Sequence, residues 1–156
     1  MELLFQITTK FTLEEYKKFN YAILKKRHVW PILIIADILI LLGGILDENL
    51  FLIIFAVLYP LVVLWVQKRS IQKIFDSNKV TQNIDVTYTF YEDHFEEKHE
   101  SGEARITYDK LSEIIETKTN FYLMIAKNQG YMLSKENMPE GLIEFIENIK
   151  KNLKKK

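Results

Sequence analysis

The chain has no cysteine among its 156 residues. That excludes disulfide staples, a thiol nucleophile and cysteine-bound zinc or iron–sulfur centres, and it fits a reducing compartment. Net charge is missing as well, with 21 lysines and arginines against 21 aspartates and glutamates. A nucleic-acid partner calls for a basic surface, so none is expected. The three histidines are His28, His94 and His99. His94 and His99 are five apart on a predicted strand and so face opposite ways, which argues against a shared metal site.

The five glycines, at 43, 44, 102, 130 and 141, fall in an apolar run, at two turns and at a helix start. None forms a phosphate-cradling loop. No serine stands in a nucleophile-elbow pattern. The acidic stretch "EDHFEEKHE" (92–100) reads as a solvated hairpin edge rather than a catalytic cluster. No catalytic, cofactor-binding or metal-ligating residue is therefore assigned, and a non-enzyme is expected.

Charge is also absent from one long block. Between Val29 and Val66 the formal charges are Asp37, Asp47 and Glu48. Two apolar runs fill the block, "VWPILIIADILILLGGIL" (29–46) and "LFLIIFAVLYPLVVLWV" (50–66). As helices each would be about 26 Å long, close to the hydrocarbon thickness of a bilayer. A chain of this size offers too little core to hide both. The connector "DEN" (47–49) is short enough to force an antiparallel helical hairpin. The first apolar run begins after 28 mostly polar residues and lacks a small-residue cleavage pattern, so a cleaved signal peptide is not expected.

Basic residues flank the outer ends of the hairpin: Lys25, Lys26 and Arg27 on one side, Lys68 and Arg69 on the other. The connector carries acid and no cation. By the positive-inside rule both termini should be cytoplasmic and the protein a two-pass protein of the cytoplasmic membrane. Trp30 and Trp65 fall near the same predicted interface.

Asp37 lies eleven residues before Glu48, and Tyr59 eleven after it. In an antiparallel hairpin the two share a depth, so they form a predicted intramembrane polar pair. A charged carboxylate at that depth is costly. It would serve either as polar glue, within the hairpin or between copies, or as a proton or cation relay. Gly43 and Gly44 would allow close helix approach near the connector, and Pro60 would kink the second helix.

Before the membrane, "LLFQITTK" (3–10) alternates as a short strand. Thr12 and Glu15 form a predicted capping box at the start of an amphipathic helix. Its stripe is Leu13, Tyr16, Phe19, Ile23 and Leu24. That stripe would lie either in the membrane interface or against the cytoplasmic domain.

After the membrane, residues 67–79 continue the second helix and then end it in a polar turn. From Asn83 the period becomes two. Ile84, Val86, Tyr88 and Phe90 share one face, and "HFEEKHE" follows as a polar strand. "EARITYDK" (103–110), "LSEIIETK" (111–118), "FYLMIA" (121–126) and "YMLSK" (131–135) supply further strands. "FYLMIA" is apolar on both faces and so should be central and covered twice. Tyr91 and Tyr122 are placed in sheet-face packing, or along a ligand groove. Pro139 opens a final helix whose stripe is Leu142, Phe145, Ile146, Ile149 and Leu153. Lys154, Lys155 and Lys156 at its end are candidate contacts for anionic lipid.

The whole reads as an α+β chain. It divides into a strand and amphipathic helix (1–28), a transmembrane hairpin (29–46 and 50–66), a linker (67–79), and a small antiparallel sheet closed by a C-terminal helix (80–156). The segments "FTLEEYKKF", "VTYTFYEDHFEEK" and "YDKLSEIIETKTNFYLMIAKNQGYMLSKENM" resemble the YcxB-like proteins of bacteria. The resemblance implies two membrane spans and a cytoplasmic, pleckstrin-homology-like (PH-like) rolled sheet capped by the last helix. It brings no catalytic motif. The expected function is a non-enzymatic, membrane-anchored binding module with a protein partner or self-association. The alternative is an oligomeric transport or channel accessory that uses Asp37.

Overall fold

The computed structural model describes residues 2–78, 82–136 and 138–153. Lys154, Lys155 and Lys156 lie outside the described residues, as do linker positions 79–81. The order of elements is β1 (Phe5–Lys10), α1 (Leu13–Lys26), α2 (Val29–Leu46), α3 (Leu50–Ser77), β2 (Asp85–Phe90), β3 (His94–His99), β4 (Gly102–Thr107), β5 (Glu113–Glu116), β6 (Asn120–Ala126), β7 (Gln129–Ser134) and α4 (Glu140–Leu153). The strands form two antiparallel sheets, ordered β1-β2-β3-β4 and β5-β6-β7, and do not close into a barrel.

The N-terminal strand belongs to the same sheet as the chain beyond the hairpin. β1 pairs antiparallel with β2, from Phe5 opposite Phe90 to Lys10 opposite Asp85. The whole segment α1–α2–α3 is thus an insertion between two neighbouring strands.

The two sheets share one core. Val86, Tyr88, Phe90 and Phe95 of the first face Phe121, Leu123 and Leu133 of the second, and Leu142 and Ile146 of α4 close the gap. The apolar stripe predicted for α4 is the one that packs, with Phe145, Ile149 and Leu153 at its margin. β3 differs from expectation. It is an internal strand with Phe95 wholly buried, because Phe95 lies on the core face beside Phe90. The alternation read through Tyr108 also stops one residue early, since Tyr108 starts a 3-10 turn and its hydroxyl donates to the carbonyls of Tyr91 and His94.

The second face of β6 is covered as well. Phe19 and Ala22 of α1 pack on Ile115, Tyr122, Met124 and Met132. The apolar stripe of α1 therefore meets the domain, with Phe19 edge-on to Tyr122 at 5.4 Å. The Thr12 cap forms, its hydroxyl accepting from Glu15 N at 3.2 Å. The return half of the capping box does not. The Glu15 carboxylate instead accepts from Lys18 and, across the interface, from Asn120 Nδ2 at 2.5 Å.

α2 and α3 are long and apolar enough to cross a bilayer, and only 6% of each apolar window is buried. Neither is a core helix of the sheet domain. Residues with left-handed backbones turn the chain at both ends of α2, His28 (φ 53°) before it and Glu48 (φ 50°) after it. Asn49 caps α3 by accepting from the amides of Phe51 and Leu52.

The two glycines of α2 play different parts. A Cβ on Gly44 would lie 2.9 Å from Leu52 Cβ and 3.1 Å from the Ile53 backbone nitrogen, whereas one on Gly43 would meet nothing within 4 Å. Gly44→Ala should therefore destabilise the hairpin by about 1–3 kcal/mol through overpacking. Gly43→Ala should be neutral or stabilising, since alanine is the better helix former. Unfolding of the detergent-solubilised chain, followed by circular dichroism, would measure the contrast.

Candidate functional site

Where β2 and β3 leave the shared core, the two sheets part around an open cavity of about 330 Å³. Period-two alternation along β3 puts Phe95, Glu97 and His99 on its inner face, so the face turns from apolar to polar toward the opening. Glu97, His99 and Tyr131 line the mouth, with Phe11, Ile84 and Val86 forming apolar wall. Gly130 fits here because a Cβ would come within 2.8 Å of both Leu123 O and Met124 Sδ.

Glu97 is the distinctive group. Burial pushes its carboxyl above the usual range, and the nearby His99 offsets only part of this. Tyr88 Oη donates to Glu97 Oε1 at 3.3 Å. Among the described residues no lysine or arginine is ion-paired to Glu97. Contrast Glu116, whose carboxylate is held below its ordinary range by hydrogen bonds from Lys135 and Lys150 at 2.8 and 2.7 Å. Among the described residues the mouth thus presents a half-buried acid beside aromatic rings, with no lysine or arginine paired to it.

His94 and His99 do lie on opposite faces of β3. His94 is buried on the outer face, stacked on Tyr91 at 4.6 Å, with Asp93 bonded to Nδ1 at 2.5 Å and Glu96 3.5 Å from Nε2. Of the two tyrosines singled out from the sequence, Tyr91 covers His94, and Tyr122 is fully buried beneath α1.

The predicted pair Asp37 and Tyr59 does come together. Both line a small cavity of about 60 Å³ between α2 and α3, with Trp30, Leu33, Ile34 and Pro60. No hydrogen bond joins them, and Asp37 Oδ1 is buried without a partner. The Tyr59 ring is instead stacked on Phe55, one helical turn away, at 5.4 Å. Pro60 lies inside α3, as expected.

The flanking basic residues divide. Lys26 reaches Glu113 at 4.0 Å, and Arg27 Nη2 donates to Lys127 O at 2.7 Å. Arg69 lies over the Trp65 ring at 4.1 Å. Lys25 and Lys68 are exposed. The sequence reading missed the inter-sheet mouth, although the spacing Phe95–Glu97–His99 carried the signal.

Residues 90–149 match the model of a family described as YcxB-like protein. The chain carries a YcxB-like region. This region runs from the end of β2 through most of α4, and so holds β3 to β7 and the Glu97, His99 and Tyr131 side of the mouth, but not its wall of Phe11, Ile84 and Val86. β1 and the helical hairpin lie outside the matched residues. No curated protein and no solved structure matches the chain.

The raised Glu97 carboxyl has a signed consequence. A carboxyl that holds its proton more tightly when folded stabilises the fold at low pH, and that stability is lost as pH rises through the folded-state value. The loss begins above the ordinary value of 4.5. Glu97→Gln, which keeps an acceptor for Tyr88, should leave acid-side stability unchanged and raise the unfolding temperature near neutral pH. Thermal melts of both proteins across that range would show it.

Proposed function

We propose that this YcxB-like chain is a non-enzymatic, membrane-anchored interaction module. In this reading α2 and α3 span the cytoplasmic membrane twice, and the sheet domain offers its mouth to a partner on the cytoplasmic face. The pairing of β1 with β2 supports the topology, because a chain that leaves a sheet and returns to the next strand must return on the same side. Lys25, Lys26, Arg27, Lys68 and Arg69 stand at the sheet-side ends of the hairpin, and Asp47 and Glu48 at the other, as the positive-inside rule asks of cytoplasmic termini. Four strands, three strands and a terminal helix between them also suit a PH-like reading of the domain.

The observation that carries the proposal is Glu97, half-buried in the mouth and, among the described residues, not ion-paired to a lysine or arginine. A lysine or arginine of a protein partner would complete it, with Tyr131 and Phe11 available for cation–π contact. Anchoring raises the local concentration, so even a weak site of this kind would be occupied. A photocrosslinker at Gln129, used in intact membranes, should capture a second protein, and Glu97→Gln should cut that adduct several-fold. Adducts to lipid or to the same chain alone, or capture indifferent to Glu97, would count against the module.

A second reading rests on the unpartnered Asp37 Oδ1 and its cavity. It makes several copies of the hairpin an accessory for transport, with Asp37 relaying protons or cations. Flux through reconstituted Asp37→Asn would then fall to background. Preserved flux, or none in the parent, would leave Asp37 as packing between helices.

A further inference from the structure

The bond between Arg27 and the β6–β7 turn fixes one end of the sheet domain to the start of the hairpin. Arg27 is the last residue but one before the apolar helix α2, and its guanidinium donates to the carbonyl of Lys127 at 2.7 Å. Lys26, one residue earlier, reaches Glu113 at the start of β5. Two adjacent side chains thus hold the second sheet by the same end. With α2 in a bilayer, Arg27 stands at headgroup level, and the turn Lys127–Asn128 stands within one arginine side chain of it.

The chemistry of that end is cationic. Lys25, Lys26, Arg27 and Lys127 gather there, and Lys68 and Arg69 leave the membrane on α3. Glu113 is the acid bonded to this set, and Lys26 engages it. Lys127, Asn128 and Ile125 are exposed. At the opposite end of β6 the turn at Lys118–Thr119 is about 20 Å away along the strand.

We propose that the β6–β7 end of the domain rests on the membrane surface, with Lys127 joining the flanking basic residues in contact with anionic lipid headgroups. The surface is continuous with the hairpin, and its charge complements that of an anionic leaflet. The domain is then held down by its second sheet, with α1 lying between the membrane and the far turn, rather than swinging free on α3. The inference rests on the membrane-spanning reading of α2 and α3; because Ile125 and Gln129 also line the mouth, it sets that opening close to the membrane surface.

Because the chain has no cysteine, a single introduced one takes a single label. The full chain carrying Asn128→Cys, Lys118→Cys or Leu39→Cys would be labelled with an environment-sensitive fluorophore. Each would be reconstituted in vesicles of phosphatidylcholine, with and without phosphatidylglycerol. The label at 39 should be quenched from the lipid phase. The label at 128 should be several-fold better shielded from an aqueous quencher than the label at 118. Its shielding should grow with phosphatidylglycerol and fall when Lys127→Glu is added.

Equal aqueous access at 128 and 118 would overturn the docking. Shielding indifferent to both phosphatidylglycerol and Lys127→Glu would overturn the headgroup contact. Aqueous access at 39 would overturn the membrane reading beneath it, and so is distinguishable from either.

Discussion

The pairing of β1 with β2 is the constraint on which the rest depends. These strands are neighbours in space and are separated in sequence by three helices. Their ladder closes the chain around the hairpin, so the two long apolar helices are held at both ends by one folded domain. A simple tail anchor would leave the domain on a single flexible tether. Here two connections emerge from adjacent strands, and each is braced by aromatic contacts. Phe75 of α3 lies against Phe11 and Tyr16 at 5.8 and 6.0 Å, where the first and third helices pass the sheet.

β6 is the second organising element. Phe121 and Leu123 fill the core between the sheets, while Tyr122 and Met124 receive α1. Burial on both faces makes this strand the joint between domain and hairpin. Each fully buried large side chain contributes about 1.5–3 kcal/mol by removal from water. The polar link from Asn120 to Glu15 then sets the position of α1 along the strand.

Much of this was legible from local pattern. The long apolar helices at 29–46 and from 50, the strand alternation from Ile84, the doubly covered "FYLMIA" and the stripe of α4 all follow from apolar run length and from periodicities of 3.6 and 2, which neighbouring residues set. The candidate site was legible in part. Asp37 and Tyr59 meet at one cavity, as equal distances from Glu48 imply. That no hydrogen bond joins them was not legible, because the stacking of Tyr59 on Phe55 depends on side-chain packing that register alone does not specify. "HFEEKHE" reads as polar by composition. Only its place between β2 and β4 makes Phe95 core and puts Glu97 in a mouth.

The sequence by itself determined the chain's division by hydropathy: two long apolar runs, with Asp37 as the charge within them, of a length able to cross a bilayer, and an alternating remainder able to fold in water. It also determined the type of each element, since hydrophobic period and turn residues are local properties. The tertiary structure decided which strand lies beside β1, which face α1 covers, and where a half-buried acid sits with no lysine or arginine paired to it among the described residues. Those outcomes depend on pairings between residues far apart along the chain. Such pairings are chosen by the packing of one shared core, which no window of sequence contains.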